Sequence, residues 1–188
     1  MIGESLKRIE DPALLRGEGR FVDDIHFAGL LQAAFVRSPH PHALIKSIDT
    51  QAAMSAPGVR AVYTLADFLP HIVEGRLPLQ FPSKDFGPDV TPWLLAGEEV
   101  CHVGEVVALV IADTRYQAED AAVLVEVDYE PLPSVAGCAA AFAADAPLVH
   151  RNTTDNVLVR FQQSYGDTDS VFAGAAHVFR ERLVQHRG

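Results

Sequence analysis

The sequence predicts an α/β (α+β) fold with a mixed sheet and short helices. Three observations carry that prediction. Residues 98–133, EEVCHVGEVVALVIADTRYQAEDAAVLVEVDYEPLP, hold an apolar strand, a capped helix and a second strand with almost no linker. Hydrophobic residues make up 48% of the 188 and charged residues 21%, a globular balance with enough apolar surface for a sizeable core. The longest apolar run, 106–112, has the length of a strand and is far too short for a bilayer.

The elements follow in order. Residues 1–19 are polar and charged, with Asp11-Pro12 as a turn or helix-start signal, and read as an arm that needs a surface to lie on. Residues 30–36 (LLQAAFV) form an apolar strand, broken by Ser38-Pro39-His40-Pro41-His42 and resumed over 43–48. Asp49 or Thr50 then caps a short helix running to Ser55, because a short oxygen-bearing side chain accepts a free first-turn N–H. Pro57-Gly58 stops that helix, and residues 59–63 are another strand. Thr64 and Asp67 have the spacing of a capping arrangement for one helical turn. Residues 69–97 carry Pro70, Pro78, Pro82, Pro88 and Pro92, which forbid long regular elements and predict a long loop.

Residues 106–111 are apolar at every position, so both faces of that strand are expected to be buried. Asp113 and Thr114 supply an N-cap for the next helix. Ala118, Ala121, Ala122 and Val125 recur at three- and four-residue steps and give it an inward stripe. Residues 125–129 alternate apolar and acidic, as a half-exposed strand does, and Pro131 and Pro133 end it. Beyond Ser134 the chain is Ala-rich and irregular. A short helix is expected after Asp167 and Asp169, and a strand over 177–186 (HVFRERLVQH) that needs another strand to pair with.

Asp plus Glu outnumber Lys plus Arg by 25 to 15, a formal charge of −10, so the chain has no broad electrostatic footprint for nucleic acid or an anionic membrane. Its two cysteines, Cys101 and Cys138, form no CxxC, and the N-terminus has no apolar signal region. Both features lead us to expect a reducing, cytoplasmic location.

Four segments occur in register: LLRGEGRFVDDI (14–25), FVRSPHPHALIKSID (35–49), PGVRAVYTLADF (57–68) and VGEVVALVIADTRYQAEDAAVLVEVDYEPLP (103–133). Together they resemble the N-terminal α/β-hammerhead region of the large, molybdenum-binding subunit of the xanthine dehydrogenase, aldehyde oxidase and carbon monoxide dehydrogenase family. The closer likeness is to bacterial members with separate subunits. Residues 176–188 resemble the first strand of the molybdenum-cofactor domain that follows in the family. The resemblance implies an arm over 1–19, the hammerhead domain over 20–133, and a linker with a truncated start of the next domain over 134–188.

The family inserts oxygen from water at an aldehyde, a heterocycle or a similar carbon. Electrons leave molybdenum through iron–sulfur clusters to flavin or another acceptor. For the complete subunit the resemblance implies molybdenum on molybdopterin (cytosine dinucleotide). For partner subunits it implies iron–sulfur clusters and FAD. The family's catalytic glutamate, the glutamine near the apical oxo group and the pterin-holding loops lie downstream of this region. No catalytic, cofactor-binding or metal-binding residue therefore carries over to this chain, and no activity is expected of it alone. Its expected role is scaffold, with the remainder of the molybdenum subunit and the iron–sulfur and flavin subunits as partners. Self-association through the C-terminal strand is a further expectation. The alternative is a non-catalytic binding or interaction module, either a gene fragment or a stand-alone domain.

Local candidates for chemistry add little. His40 and His42 form an HxH that would share a face on a strand and reach one metal, but prolines interrupt the strand, and turn histidines bonded to backbone or water are the simpler expectation. Gly17-Glu18-Gly19 lacks the preceding strand, the third glycine and the following helix of a phosphate loop, so it reads as a turn between Arg16 and Arg20. Cys101 lies beside an apolar strand without an activating base. Asp23-Asp24 and Glu98-Glu99 read as solvated turn charges, and no GxSxG elbow occurs. The hammerhead resembles biotinyl and lipoyl carriers, yet neither Lys46 nor Lys84 stands on a Met-flanked hairpin.

Overall fold

The computed structural model describes residues 3, 5–78 and 90–183. An arm carries helix α1 (Asp11–Leu15), with a proline in its first turn where a missing N–H costs nothing. Strands β1 (Gln32–Arg37) and β2 (Ala43–Asp49) follow, then helix α2 (Gln51–Met54), strand β3 (Val59–Tyr63) and helix α3 (Leu65–Phe68). After the long connection come β4 (Glu99–Val100), β5 (Val106–Ala112), helix α4 (Arg115–Val123) and β6 (Glu126–Pro131). Two further helices, α5 (Cys138–Ala141) and α6 (Thr168–Gly174), lie beyond them.

The fold is α+β, as expected, but the strands do not form one mixed sheet. They form two three-stranded sheets, β1-β5-β3 and β4-β2-β6, and every pairing is antiparallel. An all-apolar strand suits a parallel sheet covered on both sides, and β5 meets the same demand by another route. It is the central strand of its sheet. Ala108 and Val110 point into one buried cluster with Ala53, Val62, Ala121 and Val125. Val107 points the other way, into a second cluster with Ala43, Ala96 and Val100. Val36, Ile48 and Val127 pack against both clusters and join the two sheets into one interior.

The alanine stripe of α4 does what its spacing predicts. Ala118 and Ala121 are fully buried, and Ala122 packs at the margin of the first cluster. The cap of α4 is more specific than the sequence suggests. Thr114 Oγ1 accepts from the Gln117 N–H at 3.3 Å. Asp113 instead holds Arg60 of β3 through two hydrogen bonds of 2.8 and 2.9 Å. Gly58 sits at φ +78°, a left-handed conformation that glycine takes without the strain a side chain would bring. At α2, Asp49 Oδ1 accepts from the Gln51 N–H at 2.9 Å, and Thr50 stands at the cap position without a side-chain bond. Asp67 bonds back to Thr64 with the geometry its spacing predicts.

The strand expected over 177–186 is not formed over 177–183, and the rest of that stretch lies outside the described residues. The alternating pattern is present, but among the described residues no strand lies beside it to share backbone bonds, and a lone strand has nothing to stabilise it. The helix after Asp167 does form, and Asp167 Oδ1 accepts from the Ser170 N–H at 3.1 Å.

Candidate functional site

The chemistry-bearing side chains converge on one end of the second sheet. The Ser38-to-His42 turn is fixed by Ser38, whose buried hydroxyl accepts from the His40 N–H at 3.0 Å and lies 3.1 Å from the His40 carbonyl. The two histidines part from there. The His40 ring rests edge-on against Tyr129 at 4.9 Å. His42 turns inward, and its Nδ1–H donates to the Pro133 carbonyl at 2.8 Å. Its Nε2 lies 2.8 Å from Glu99 Oε1. The expected turn role of His42, bonding backbone, is what the geometry shows.

Glu99 departs from expectation. It is not a solvated turn charge: its side chain is 20% exposed and faces a histidine that is 6% exposed. The pairing of β4 with β2 places Glu99 opposite Leu44 and so within reach of His42. Nothing local in EEVC signals this, because the partner lies 57 residues earlier.

Beside this pair opens a cavity of about 840 Å³. Arg76, Trp93, Glu98, Glu99, Cys101, His102, Glu105 and His150 are among the residues that line it. The Arg76 guanidinium stacks on the Trp93 ring at 4.3 Å and bonds the Thr91 carbonyl. Glu105 accepts from the Cys101 N–H and approaches His102 Nδ1 at 3.4 Å. Burial, with the Glu99 and Glu105 charges adding to it, pushes the Cys101 thiol up to about 12, so it is no nucleophile at neutral pH. Burial also pushes the His150 imidazole down. Among the described residues no group of three or more His, Cys, Asp or Glu side chains is placed to hold a metal ion.

The remaining candidates are apart from this cavity. Gly17 takes φ +72°, and the Glu18 N–H returns to the Ala13 carbonyl at 2.9 Å, so Gly17-Glu18-Gly19 stops α1 as turn chemistry predicts. Arg16 is engaged by Glu18 at 2.9 Å. Asp24 accepts from the Phe21 N–H, and Asp23 lies 3.6 Å from Arg115. Lys46 pairs with Glu130 across β2 and β6. Lys84 lies outside the described residues. Sequence reasoning also missed Asn156. It accepts from the Val149 N–H and donates to the Ala141 and Pro147 carbonyls, knotting a segment with no regular element of its own. No helix among the described residues is long and apolar enough to cross a membrane.

A domain of two small antiparallel sheets wrapped on a shared apolar interior is thus the class of protein on hand. Residues 16–133 match the family model described as aldehyde oxidase and xanthine dehydrogenase, a/b hammerhead domain, and the chain belongs to that family. Its relatives include the carbon monoxide dehydrogenase large chain of Afipia carboxidovorans, 40% identical over 99% of this chain and 24% of that one. The xanthine dehydrogenase molybdenum-binding subunit of Escherichia coli O157:H7 is 31% identical over 95% of this chain and 24% of its own length. The crystal structure of quinoline 2-oxidoreductase from Pseudomonas putida 86 superposes with a TM-score of 0.77 at 36% identity, covering 93% of this chain and 22% of that one. The chain therefore spans about a quarter of the relatives' length or less.

The cavity does not suit a pterin dinucleotide. A pyrophosphate is held by backbone N–H nests and free cationic side chains. Here the carboxylates of Glu98, Glu99 and Glu105 outnumber the two arginines, Arg76 and Arg151, on the walls, and Arg76 is engaged by Trp93 and Thr91.

Proposed function

We propose that this chain supplies the scaffold portion of a molybdenum hydroxylase large subunit. Water-derived hydroxylation of an aldehyde, heterocycle or similar substrate would be performed by residues outside it. The observation that carries this reading is the family match over 16–133 in a chain spanning about a quarter of its relatives. In this reading residues 1–19 are an arm, 20–133 the hammerhead domain, and 134–188 a linker and the start of the cofactor domain. Molybdopterin with molybdenum belongs to the rest of the large subunit, and iron–sulfur clusters and FAD to partner subunits. Two unpaired cysteines suit a reducing cytoplasm.

The test has two arms. The purified 188-residue polypeptide is analysed for molybdenum and pterin, and the native source is probed for what travels with it. The expected result is negligible metal in the pure polypeptide and co-purification with a molybdenum-bearing polypeptide. Stoichiometric molybdenum in the polypeptide alone overturns the scaffold role. Recovery from the native source without any such companion overturns the assembly.

A further inference from the structure

We propose that the free edge of β1 is a self-pairing surface, on which β1 of a second copy adds antiparallel to make one continuous six-stranded sheet. The two sheets end in four edge strands, and three of these are guarded against such addition. β6 carries Glu126, Asp128 and Glu130 on its exposed side and ends at Pro131. β4 has only two residues. β3 has α2 and α3 against it and an irregular register at Arg60, which Asp113 holds. Charge, proline, shortness and bulges are the usual means of keeping a strand edge from recruiting a neighbour.

β1 has none of these over 32–36. That stretch reads QAAFV, its pairing with β5 is regular, and among the described residues it pairs with no other strand. The one charge of β1, Arg37, stands at its end and is turned back on its own chain. Its guanidinium donates to the Gly104 carbonyl at 2.8 Å and lies over the Phe35 ring. The outward side of the sheet is apolar as well. Phe35, which is 50% exposed, lies beside Leu109, and Leu109 beside Tyr63. Ala33, Ile111 and Ala61 make the next row.

A second copy fits this edge through a two-fold axis at Ala34. Antiparallel pairing about that axis sets Ala34 opposite its own mate, Ala33 opposite Phe35 and Gln32 opposite Val36. Each pair keeps its side of the sheet, with 33 and 35 outward and 32, 34 and 36 toward α4. On the outward side a small residue meets a large one. The two Arg37 side chains lie at opposite ends, so no like charges meet. An axis at Phe35 would draw Arg37 and the irregularity between Val36 and Arg37 into the ladder, and one at Ala33 would leave only 32–34 paired. With the axis at Ala34 the outward rows also join. Tyr63, Leu109 and Phe35 of one copy continue into Ala33, Ile111 and Ala61 of the other. The pairing asks nothing of the scaffold role, so either can fail without the other.

The experiment is sedimentation velocity and amide hydrogen exchange on the whole 188-residue chain over about a hundredfold range of concentration. The expected result is a shift from monomer to dimer as concentration rises, with exchange of β1 amides slowing by about tenfold or more and that of β6 amides unchanged. Ala33→Lys puts a charge on an exposed position opposite the mate's Phe35. It is expected to hold the chain monomeric throughout, with its circular dichroism unchanged. A chain monomeric at every concentration, a dimer that survives Ala33→Lys, or β1 exchange independent of concentration overturns the proposal. Protection of β1 only in a complex with another polypeptide also overturns it, since the edge then belongs to that polypeptide. If the Ala33→Lys chain does not fold, Ala34→Cys combined with Cys138→Ser decides. Position 34 faces its own mate, so mild oxidation is expected to link two chains there, and linkage elsewhere or none overturns the pairing.

Discussion

Residues 32–131 and residues 134–183 are built from similar alphabets and end in different states. Every buried hydrophobic side chain among the described residues lies between Ala43 and Val125. After Pro133 there are none, although Phe142, Phe161, Tyr165, Val171, Phe172 and Phe179 are all large and all exposed. Local signals worked equally well in both regions: α4 and α6 each carry a side-chain N-cap. The difference is the surface on offer. α4 lies on β1 and β5, and its alanines let it approach closely, while no sheet lies under α6. A cap shapes a turn, but stability of a short helix comes from the face it buries. Exposed apolar side chains at this density are the kind of surface that the proposed scaffold role would cover.

The sharpest way to break this contrast is to put a charge into the first region. Val110 is 0% exposed in β5, the central strand between β1 and β3, and belongs to the first cluster. Val110→Asp leaves a carboxylate with no partner in the first cluster and is expected to cost more than about 4 kcal/mol, enough to unfold the domain. Circular dichroism and urea denaturation of the variant check this. A cooperative transition near the wild-type midpoint would show that the interior is elsewhere. Next in size is Ala121→Leu. Ala121 is fully buried where α4 meets the sheet, and three extra carbons there are expected to cost about 1–3 kcal/mol by forcing the helix off. The urea midpoint reads it directly.

The sequence made the elements of the first region legible, because their signals are local. The strands at 43–49, 59–63 and 106–112, the Thr64–Asp67 cap and the alanine stripe all rest on residues within a few positions of one another. Sheet order was not legible. Whether β5 lies in a mixed sheet or between two antiparallel neighbours depends on pairings with residues 46 to 80 positions away, and an all-apolar strand satisfies both. The site was legible in half. His42 announced itself as a turn histidine, but Glu99 looked like any exposed glutamate. The strand expected over 177–186 shows the converse error, a sound local pattern without a neighbour to pair with.

A smaller effect tests whether the capping of α3 matters to the same interior, since Leu65 in its first turn is buried. Two hydrogen bonds from Thr64, backbone first and hydroxyl second, hold the Asp67 carboxyl below its usual value. A carboxylate favoured in the folded state contributes stability that is fully present above its unfolded value of about 3.9 and is lost as pH falls through the lower folded one. Asp67 is largely exposed and screened, so Asp67→Asn is expected to cost less than about 1 kcal/mol. The Tm difference from wild type should be constant from pH 7 to 5 and shrink below pH 4. A difference that persists undiminished at pH 2.5 would mean that the charge is irrelevant to the cap.

The smallest expected effect is the most discriminating for the second region. Val171 lies in α6 and is 71% exposed. Val171→Asp introduces the same charge as the core variant and is expected to change the stability of the isolated chain by no more than about 0.5 kcal/mol, because nothing is desolvated. A cost above 1 kcal/mol in urea denaturation would mean that α6 packs in solution, and the division between the two regions would fail. The same substitution has a second reading in the assembled state. If the apolar face of α6 is covered there by the rest of a large subunit, the aspartate that is silent in the isolated chain must be buried on assembly. Co-purification with the molybdenum-bearing polypeptide should then weaken while the urea midpoint stays put. The two measurements together separate a surface that is merely exposed from one that is exposed only until its partner arrives.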